Sequence, residues 1–500
     1  MPGALRRPPA WLLIGTLSMA GMLAAMQSTV VVPLIPYFPD VFGVTPDAGS
    51  WIVTVTLLTG AVATPIVSRL ADMVGKRRMI TITLALMVAG SLLLVIEGNF
   101  VTALTGRSLQ GFASALTPVG ISILRDELPP ERVGFGVALM SATMGIGAAL
   151  GMPLAGLTYD HIGWSSLFGI TAGFAALVTL GVVVLIPESR VRSGGRFDRL
   201  GAALLSIGLT AVLLVISMGH SWDWLSLRVG VLLAVAVVAL GCWLPHQLRA
   251  AHPLVDLRMV TGRPVLLTNI ASVLISVGMY SNLLIAAQQL GLPAGTEVGL
   301  GLSVETAGLA LVPPGVAVAA ISPITGRLLT RYGGRFVFLL GSAVTCAAMA
   351  GRVYLDGSVP EIMVGSGVIG VGTALTLAAM PVMIMSVVPI TKTASANGVN
   401  MLCRTIATAL SSALLAGIVS AMAVVHDGRV YPSAAAFHTM FWVCSAAALL
   451  AFVVVLFVPA GRMAPLAAPS IAAPAPPGEG EDGHGPQRLT KGNDEPDIRR

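Results

Sequence analysis

The run SRLADMVGKRR, Ser68 to Arg78, is the most informative stretch of this sequence. It carries one acid, Asp72, one glycine, Gly75, and four bases, Arg69, Lys76, Arg77 and Arg78. Long apolar runs flank it on both sides. Charge is expensive inside hydrocarbon and glycine suits a turn. The pattern therefore predicts a tight, charged hairpin at a membrane surface. The simpler alternative is that these bases only set orientation.

The rest of the composition agrees with a chain solvated by lipid. Of 500 residues, 55% are hydrophobic and 10% charged, against about 25% charged in a soluble domain. Apolar runs long enough to cross a bilayer recur from end to end. The net charge of +6 is no nucleic-acid footprint, because the bases cluster at the ends of apolar runs. Cys242, Cys346, Cys403 and Cys444 lack metal spacing and lie in or beside apolar segments. Buried structural thiols are expected, not a disulfide framework. The run after Arg6 and Arg7 continues from Trp11 to about Ile35, too long for a signal peptide. It reads as a first span that is retained.

Breaking the chain at charged and Pro/Gly-rich joints gives roughly fourteen spans near the bilayer length. They run 11–36, 51–69, 79–96, 101–124, 133–157, 165–186, 200–218, 229–247, 264–289, 305–329, 336–354, 361–388, 398–424 and 436–459. With that count, only Arg228, Arg352 and Arg429 fall on the outer side, and Arg107 and Arg404 fall within spans. All other Lys and Arg residues fall on one side, which the positive-inside rule makes cytoplasmic. Both termini are then cytoplasmic and the chain is an integral protein of the plasma membrane. Trp51, Trp164, Trp222, Trp224 and Trp243 sit at span ends as interfacial anchors. Residues 1–10 form a short N-terminus. The Ala/Pro/Gly-rich, then charged, stretch 460–500 is expected to be a disordered tail.

The opening run has an echo, Gly326 to Arg335 (GRLLTRYGGR), with Thr330 in the place of the acid. An internal repeat of that spacing makes 11–186 and 264–459 equivalent six-helix halves and 187–263 a linker with an inserted helix pair. Leu70, Asp72, Gly75 and the bases resemble the G-x-L-A-D-x-x-G-R-K loop of the major facilitator superfamily. Fourteen spans, with Pro187–Ser189 and Phe197–Gly201 before the inserted pair, resemble its fourteen-helix drug:proton antiporter branch. The resemblance implies an all-α polytopic fold of two six-helix bundles plus a helix pair. It also implies that Asp72 meets the N-terminus of a helix in the opposite half, here span 13 near Asn397 and Gly398. Asp72, Gly75, Lys76, Arg77 and Arg78 would then form a conformational switch.

Within the spans, Arg107, Gln110, Gly111, Ser114 and Pro118 share one helix face. This stretch resembles the superfamily's R-x-x-Q-G motif, implicated in proton transfer. Arg107 either tunes a polar cavity or is a structural arginine held by carbonyls. Span 1 resembles L-D-x-T-I/V-x-N-x-x-x-P, ending at Pro36. It has Gln27 in place of the usual acid and Val32 in place of the usual Asn. Gln27 cannot titrate; it could bond a substrate or Arg107, or tie two helices. No carboxylate lies at mid-span, although proton coupling usually needs a buried one. Glu305 is the best remaining proton-site candidate, ahead of Asp40, Glu97 and Glu361, and each is also readable as a solvated span end.

Span 5 contains Gly147, Gly151, Pro153 and Gly156, resembling the antiporter motif G-x-x-x-G-P-x-x-G-G associated with export. Gly147, Gly151 and Ala155 form a small-residue face that lets a helix approach closely. By family analogy that helix is span 10, around Gly308 and Pro313–Gly315. Asn269, Ser272, Ser276 and Tyr280 on span 9, and Met19, Met22 and Met26 on span 1, are candidate cavity walls. Asn400 and Arg404 on span 13 match the branch's N-x-x-x-R pattern and could face them.

These readings point to a secondary exporter of hydrophobic or amphipathic small molecules, working by alternating access with the proton gradient as its energy source and no bound cofactor or metal. Its partners would be substrate and lipid, not nucleic acid. A dedicated exporter of one metabolite, lipid or antibiotic is the nearer alternative, and a receptor or scaffold without flux the more distant one. No phosphate loop, metal cluster or nucleophile–base set points to an enzyme.

Overall fold

A computed structural model of the chain describes residues 9–31, 34, 37–96, 99–189, 191–219, 221–426 and 429–459. Contacts divide the chain into Met1–Met463 and Ala464–Arg500, and the described residues all belong to the first unit. Most of the expected N-terminus, Pro36, Glu97 and the expected tail 460–500 lie outside the described residues.

Twelve continuous helices among the described residues are long and apolar enough to cross a membrane. One of them, Glu305–Arg352, is two spans joined at Gly333, whose φ of 80° and ψ of 170° break the helix. A further segment, Phe100 to Glu127, is interrupted by a 3-10 turn at Phe112–Ala115. Pro118 lies just beyond this turn and has no N–H to offer the Ser114 carbonyl four residues back. Counting these gives fourteen crossing helices.

They are α1 (Ala10–Thr29), α2 (Pro46–Val74), α3 (Lys76–Val95), α4 (Phe100–Gly111 with Leu116–Glu127), α5 (Pro130–Ile162), α6 (Trp164–Leu185) and α7 (Arg199–Met218). The series continues with α8 (Leu227–Arg249), α9 (Arg263–Gly291), α10 (Val304–Ala310 with 312–332), α11 (334–352), α12 (Val359–Met385), α13 (Thr393–Ala421) and α14 (Ala434–Leu456). A small antiparallel hairpin, Ala423–His426 with Arg429–Pro432, joins the last two. It is the one sheet among the described residues and was not foreseen.

The charged run is not the loop its composition suggested. Ser68 to Val74 continues α2, and α3 starts at Lys76. Gly75 alone turns the chain, at a φ of 136° that a residue with a Cβ rarely adopts. Its counterpart Gly333 does the same between α10 and α11. The two turns are also tied alike. Arg77 donates to the carbonyl of Val183 near the end of α6, and Arg335 donates to that of Leu456 at the end of α14, 2.6 Å away. The repeat seen in the sequence is therefore a repeat of backbone and of hydrogen bonding.

The inserted pair packs as a hairpin of α7 against α8. Asp198 caps α7 through the Gly201 amide and is held by His246 and Gln247 of α8. Leu205, Leu209 and Leu213 of α7 pack with Leu58 and Ala61 of α2 and with Val399, Leu402 and Ala409 of α13. The insertion therefore covers a seam between the two halves. Of the cysteines, Cys444 is buried, Cys346 and Cys403 are half-buried, and Cys242 is exposed on α8. The expectation of buried thiols fails for Cys242 because α8 is an outlying helix.

Candidate functional site

Two features join the halves: a polar clasp at the end carrying Asp72, and a cavity farther along the bundle. In the clasp, the Asp72 carboxylate is fully buried. It accepts from the amides of Ala394 (3.2 Å) and Ser395 (2.8 Å) and from the Ser395 hydroxyl (2.6 Å). These residues form the first turn of α13, where free N–H groups and the helix dipole attract an anion. The contact falls a few residues before the Asn397–Gly398 position expected from the sequence. Gly398 instead takes the side chain of Ser68, which leaves no room for a Cβ there.

Neighbouring groups hold the clasp in shape. Lys76 and Asp126, both buried, form a 2.6 Å ion pair between α3 and α4, and Ser189 donates to the same carboxylate oxygen. Glu188 accepts from the Arg78 amide and lies against Gly75, where any Cβ would strike it. The Asp72 carbonyl accepts from the Ser193 amide, and Arg69 reaches the Ser193 hydroxyl. The linker after α6 therefore wraps the turn. Three further bonds cross between halves at this end. Arg125 donates to Thr393 Oγ1 (2.7 Å) and to the Val388 carbonyl (2.9 Å). Ser322 of α10 donates to the Ala138 carbonyl of α5. In the second turn Thr330, which stands where the acid was, donates to the Gly326 and Arg327 carbonyls of its own helix.

The cavity measures about 230 Å³ and draws its wall from both halves. Ser28, Ser114 and Met144 line one side; Tyr280, Pro314 and Arg404 line the other. Met279 and Met401 supply adaptable surface. Of the residues proposed from sequence as cavity or proton-path groups, this wall carries Arg404 and, from the span 9 stripe, Tyr280. The others lie elsewhere. Asn400 donates to Asn269 (3.0 Å) and Ser272 (2.7 Å), fastening α13 to α9 inside the second half. Ser276 and Met26 are buried. Met22 backs onto α5 and Met19 lines a groove with α6 residues.

Arg107, Gln110 and Gln27 do meet, inside the first half behind the cavity wall. Arg107 donates to the Ile52 carbonyl (3.2 Å), the Gln27 carbonyl (3.5 Å) and Gln110 Oε1 (2.8 Å). Gln27 donates to the same Gln110 oxygen, and Gln110 donates to Ser91. The arginine is satisfied by neutral acceptors on α1, α2 and α4. Glu305 is exposed in the first turn of α10 and faces Gly156 across the α5–α10 contact.

The glycine face of α5 has a different partner from the one expected. A Cβ on Gly147 would strike the Met22 carbonyl oxygen, and one on Gly151 would strike Thr29 Oγ1. Gly147 and Gly151 therefore admit α1 of the same half. The helix α10 meets the opposite face of α5, where Gly315 abuts Ala149 and Val318 fills the space over Gly145. Pro153 and Gly156 are buried in α5. Residues two apart on a helix point in widely different directions, so the two sets of small residues serve two interfaces.

Sequence profiles decide the family. That of the Major Facilitator Superfamily matches residues 17–300 and again 265–486. The chain belongs to the major facilitator superfamily. Among relatives, it is 28% identical over 404 residues to multidrug resistance protein Stp of Mycobacterium tuberculosis, spanning 79% of this chain and 73% of that one. It is 27% identical over 329 residues to the probable multidrug resistance protein EmrY of Escherichia coli, spanning 65% and 63%. It is 25% identical over 436 residues to the tetracenomycin C resistance and export protein of Streptomyces glaucescens, spanning 86% and 79%. The crystal structure of the human organic anion transporter MFSD10 (TETRAN) superposes with a TM-score of 0.63 over 90% of this chain and all of that one, at 15% identity. That likeness shows the fold alone. As a superfamily member the chain is a transporter embedded in the bilayer, acting on small molecules.

Proposed function

We propose that this transporter is a secondary exporter of amphipathic or hydrophobic small molecules, of the fourteen-helix drug:proton antiporter type, residing in the plasma membrane with both termini cytoplasmic. Alternating access moves the two halves about the central cavity, and the proton gradient supplies the energy. The observation that carries this reading is the Asp72 clasp: a carboxylate of one half docked on a helix N-terminus of the other, at one end of a cavity that both halves line. A static receptor or scaffold has no use for a tie that can open. The relatives named for multidrug resistance support the substrate breadth. A dedicated exporter without proton coupling is the second reading, favoured by one observation: no carboxylate lines the cavity among the described residues.

The test is flux in proteoliposomes holding the purified chain, across a substrate panel, with and without a pH gradient. Efflux of several unlike compounds, accelerated by the gradient, supports the first reading. Efflux of one compound, indifferent to the gradient, replaces it with the second.

A further inference from the structure

The cavity holds one charged side chain among its described wall residues, and that charge is positive. Arg404 stands near the middle of α13. Its Nε is buried with no hydrogen-bond partner. Its one described bond runs from a terminal N–H to the Met401 sulfur at 3.7 Å, a weak acceptor. The fully buried arginines Arg107 and Arg352 have oxygen acceptors for their other N–H groups, although the Arg352 Nε is unpartnered like that of Arg404. Arg107 has Gln110 and two backbone carbonyls. Arg352 has Gln289 Oε1 at 2.6 Å, the Leu355 carbonyl at 3.0 Å and the ring of Phe441. Arg404 alone of the three faces open space, and the tyrosine close enough to interact with it, Tyr280, lines the same space.

An arginine does not shed its charge by losing a proton. A desolvated guanidinium without a counter-charge is costly, and its planar fork matches a carboxylate, sulfonate or phosphate oxygen pair. The rest of the wall, with Leu57, Met144, Leu283, Leu311 and Leu377, suits an apolar body. We infer that the cavity selects amphipathic organic anions, with the anionic group on Arg404 and the hydrocarbon body on the methionine- and leucine-lined wall. A cationic amphipath meets the guanidinium with no acid beside it. This assignment rests on the cavity being the substrate site, and it narrows the substrate class proposed above.

The experiment uses three probes in proteoliposomes of the full chain: 1-anilinonaphthalene-8-sulfonate, N-phenyl-1-naphthylamine, which is the same skeleton without the sulfonate, and the cation ethidium. The sulfonate stays ionised at any working pH, so pH does not confound the comparison. Wild type is expected to move the sulfonate faster than the neutral amine or ethidium. In Arg404→Gln the ratio of sulfonate to amine flux should fall about tenfold or more, the scale of losing a charge-assisted contact. Arg404→Lys should keep part of it, since the charge survives without the fork. Flux of the amine or ethidium without the sulfonate overturns the substrate class and leaves the exporter reading standing. An unchanged ratio in a folded Arg404→Gln also overturns it. If Arg404→Gln does not fold, the wild-type preference and the Arg404→Lys ratio decide. No flux of any probe in wild type overturns the exporter reading and this inference with it.

Discussion

The carboxylate of Asp72 and the first turn of α13 at Ser395 are in contact although 323 residues separate them in the chain. One oxygen receives both the amide and the hydroxyl of Ser395, the other the amide of Ala394. The contact joins α2 to α13, the two helices whose seam α7 covers. Opening the bundle at this end must break it.

The hydroxyl is the smaller part of that contact. Ser395→Ala removes one donor and leaves both amides and the helix dipole in place. It is expected to weaken the closed state by less than the loss of the Asp72 charge does. Transport rates of Ser395→Ala and Asp72→Asn at equal expression check the ranking.

Lys76 and Asp126 are fully desolvated, so removing Lys76 leaves the buried Asp126 carboxylate with the Ser189 hydroxyl but without its ion-pair partner. Lys76→Met should lower stability by about 3–5 kcal/mol. Lys76→Met with Asp126→Leu should recover much of that. Thermal melting of the two single variants and the double in detergent gives the coupling.

The two faces of α5 should respond differently to a methyl group. Gly147→Ala drives a Cβ into the Met22 backbone carbonyl, which side-chain motion cannot relieve. It should lower Tm and reduce the yield of folded protein. Gly315→Ala collides with Ala149 across the boundary between halves, which separates under the alternating access proposed above. It should shift the resting conformation with a smaller loss of Tm. Melting curves beside protease-accessibility patterns separate the two effects.

These contrasts show what could be read from the sequence. Gly75 and Gly333 announced themselves, because a glycine before a cluster of bases at a span end marks a turn. The spans were legible from apolar length. The helical nature of Ser68–Val74 was not, since charge at a membrane surface suits a loop and a helix end equally. Ser395 and Asp126 gave no local signal, because their importance comes from partners far away in the chain. The polar stripe Asn269, Ser272 and Ser276 was visible as a stripe. Which neighbour it faces depends on helix rotation, which one helix's periodicity leaves open. Arg404 and Tyr280 reach the cavity for the same reason that Asn400 does not.

The loop-side tie between Asp256 and Lys392, 2.6 Å long, should respond to acid. Burial pulls the Asp256 carboxyl upward. Hydrogen bonds from Lys392 and the Met259 amide, together with the lysine charge, outweigh burial and hold it below the ordinary carboxylate range. Its folded pKa is thus below the unfolded value of about 3.9. The stabilisation is present above that value and is lost as pH falls through the folded pKa. The pair is partly exposed, so the effect is small. The Tm difference between wild type and Asp256→Asn should be constant near neutrality and shrink progressively once the pH falls below about 4. A difference that instead grows with acidity contradicts the assignment.

The most direct test concerns Ser68, which lies fully buried against Gly398 beneath the clasp. A single cysteine is placed there after Cys242, Cys346, Cys403 and Cys444 are replaced, and its labelling by a membrane-impermeant thiol reagent is timed with and without Asp72→Asn. A carboxylate at a helix N-terminus contributes about 0.3–2 kcal/mol, so its loss should raise the labelling rate roughly two- to thirtyfold from the membrane face that carries the clasp. Equal rates in the two proteins would contradict the claim that Asp72 holds the halves together at this end.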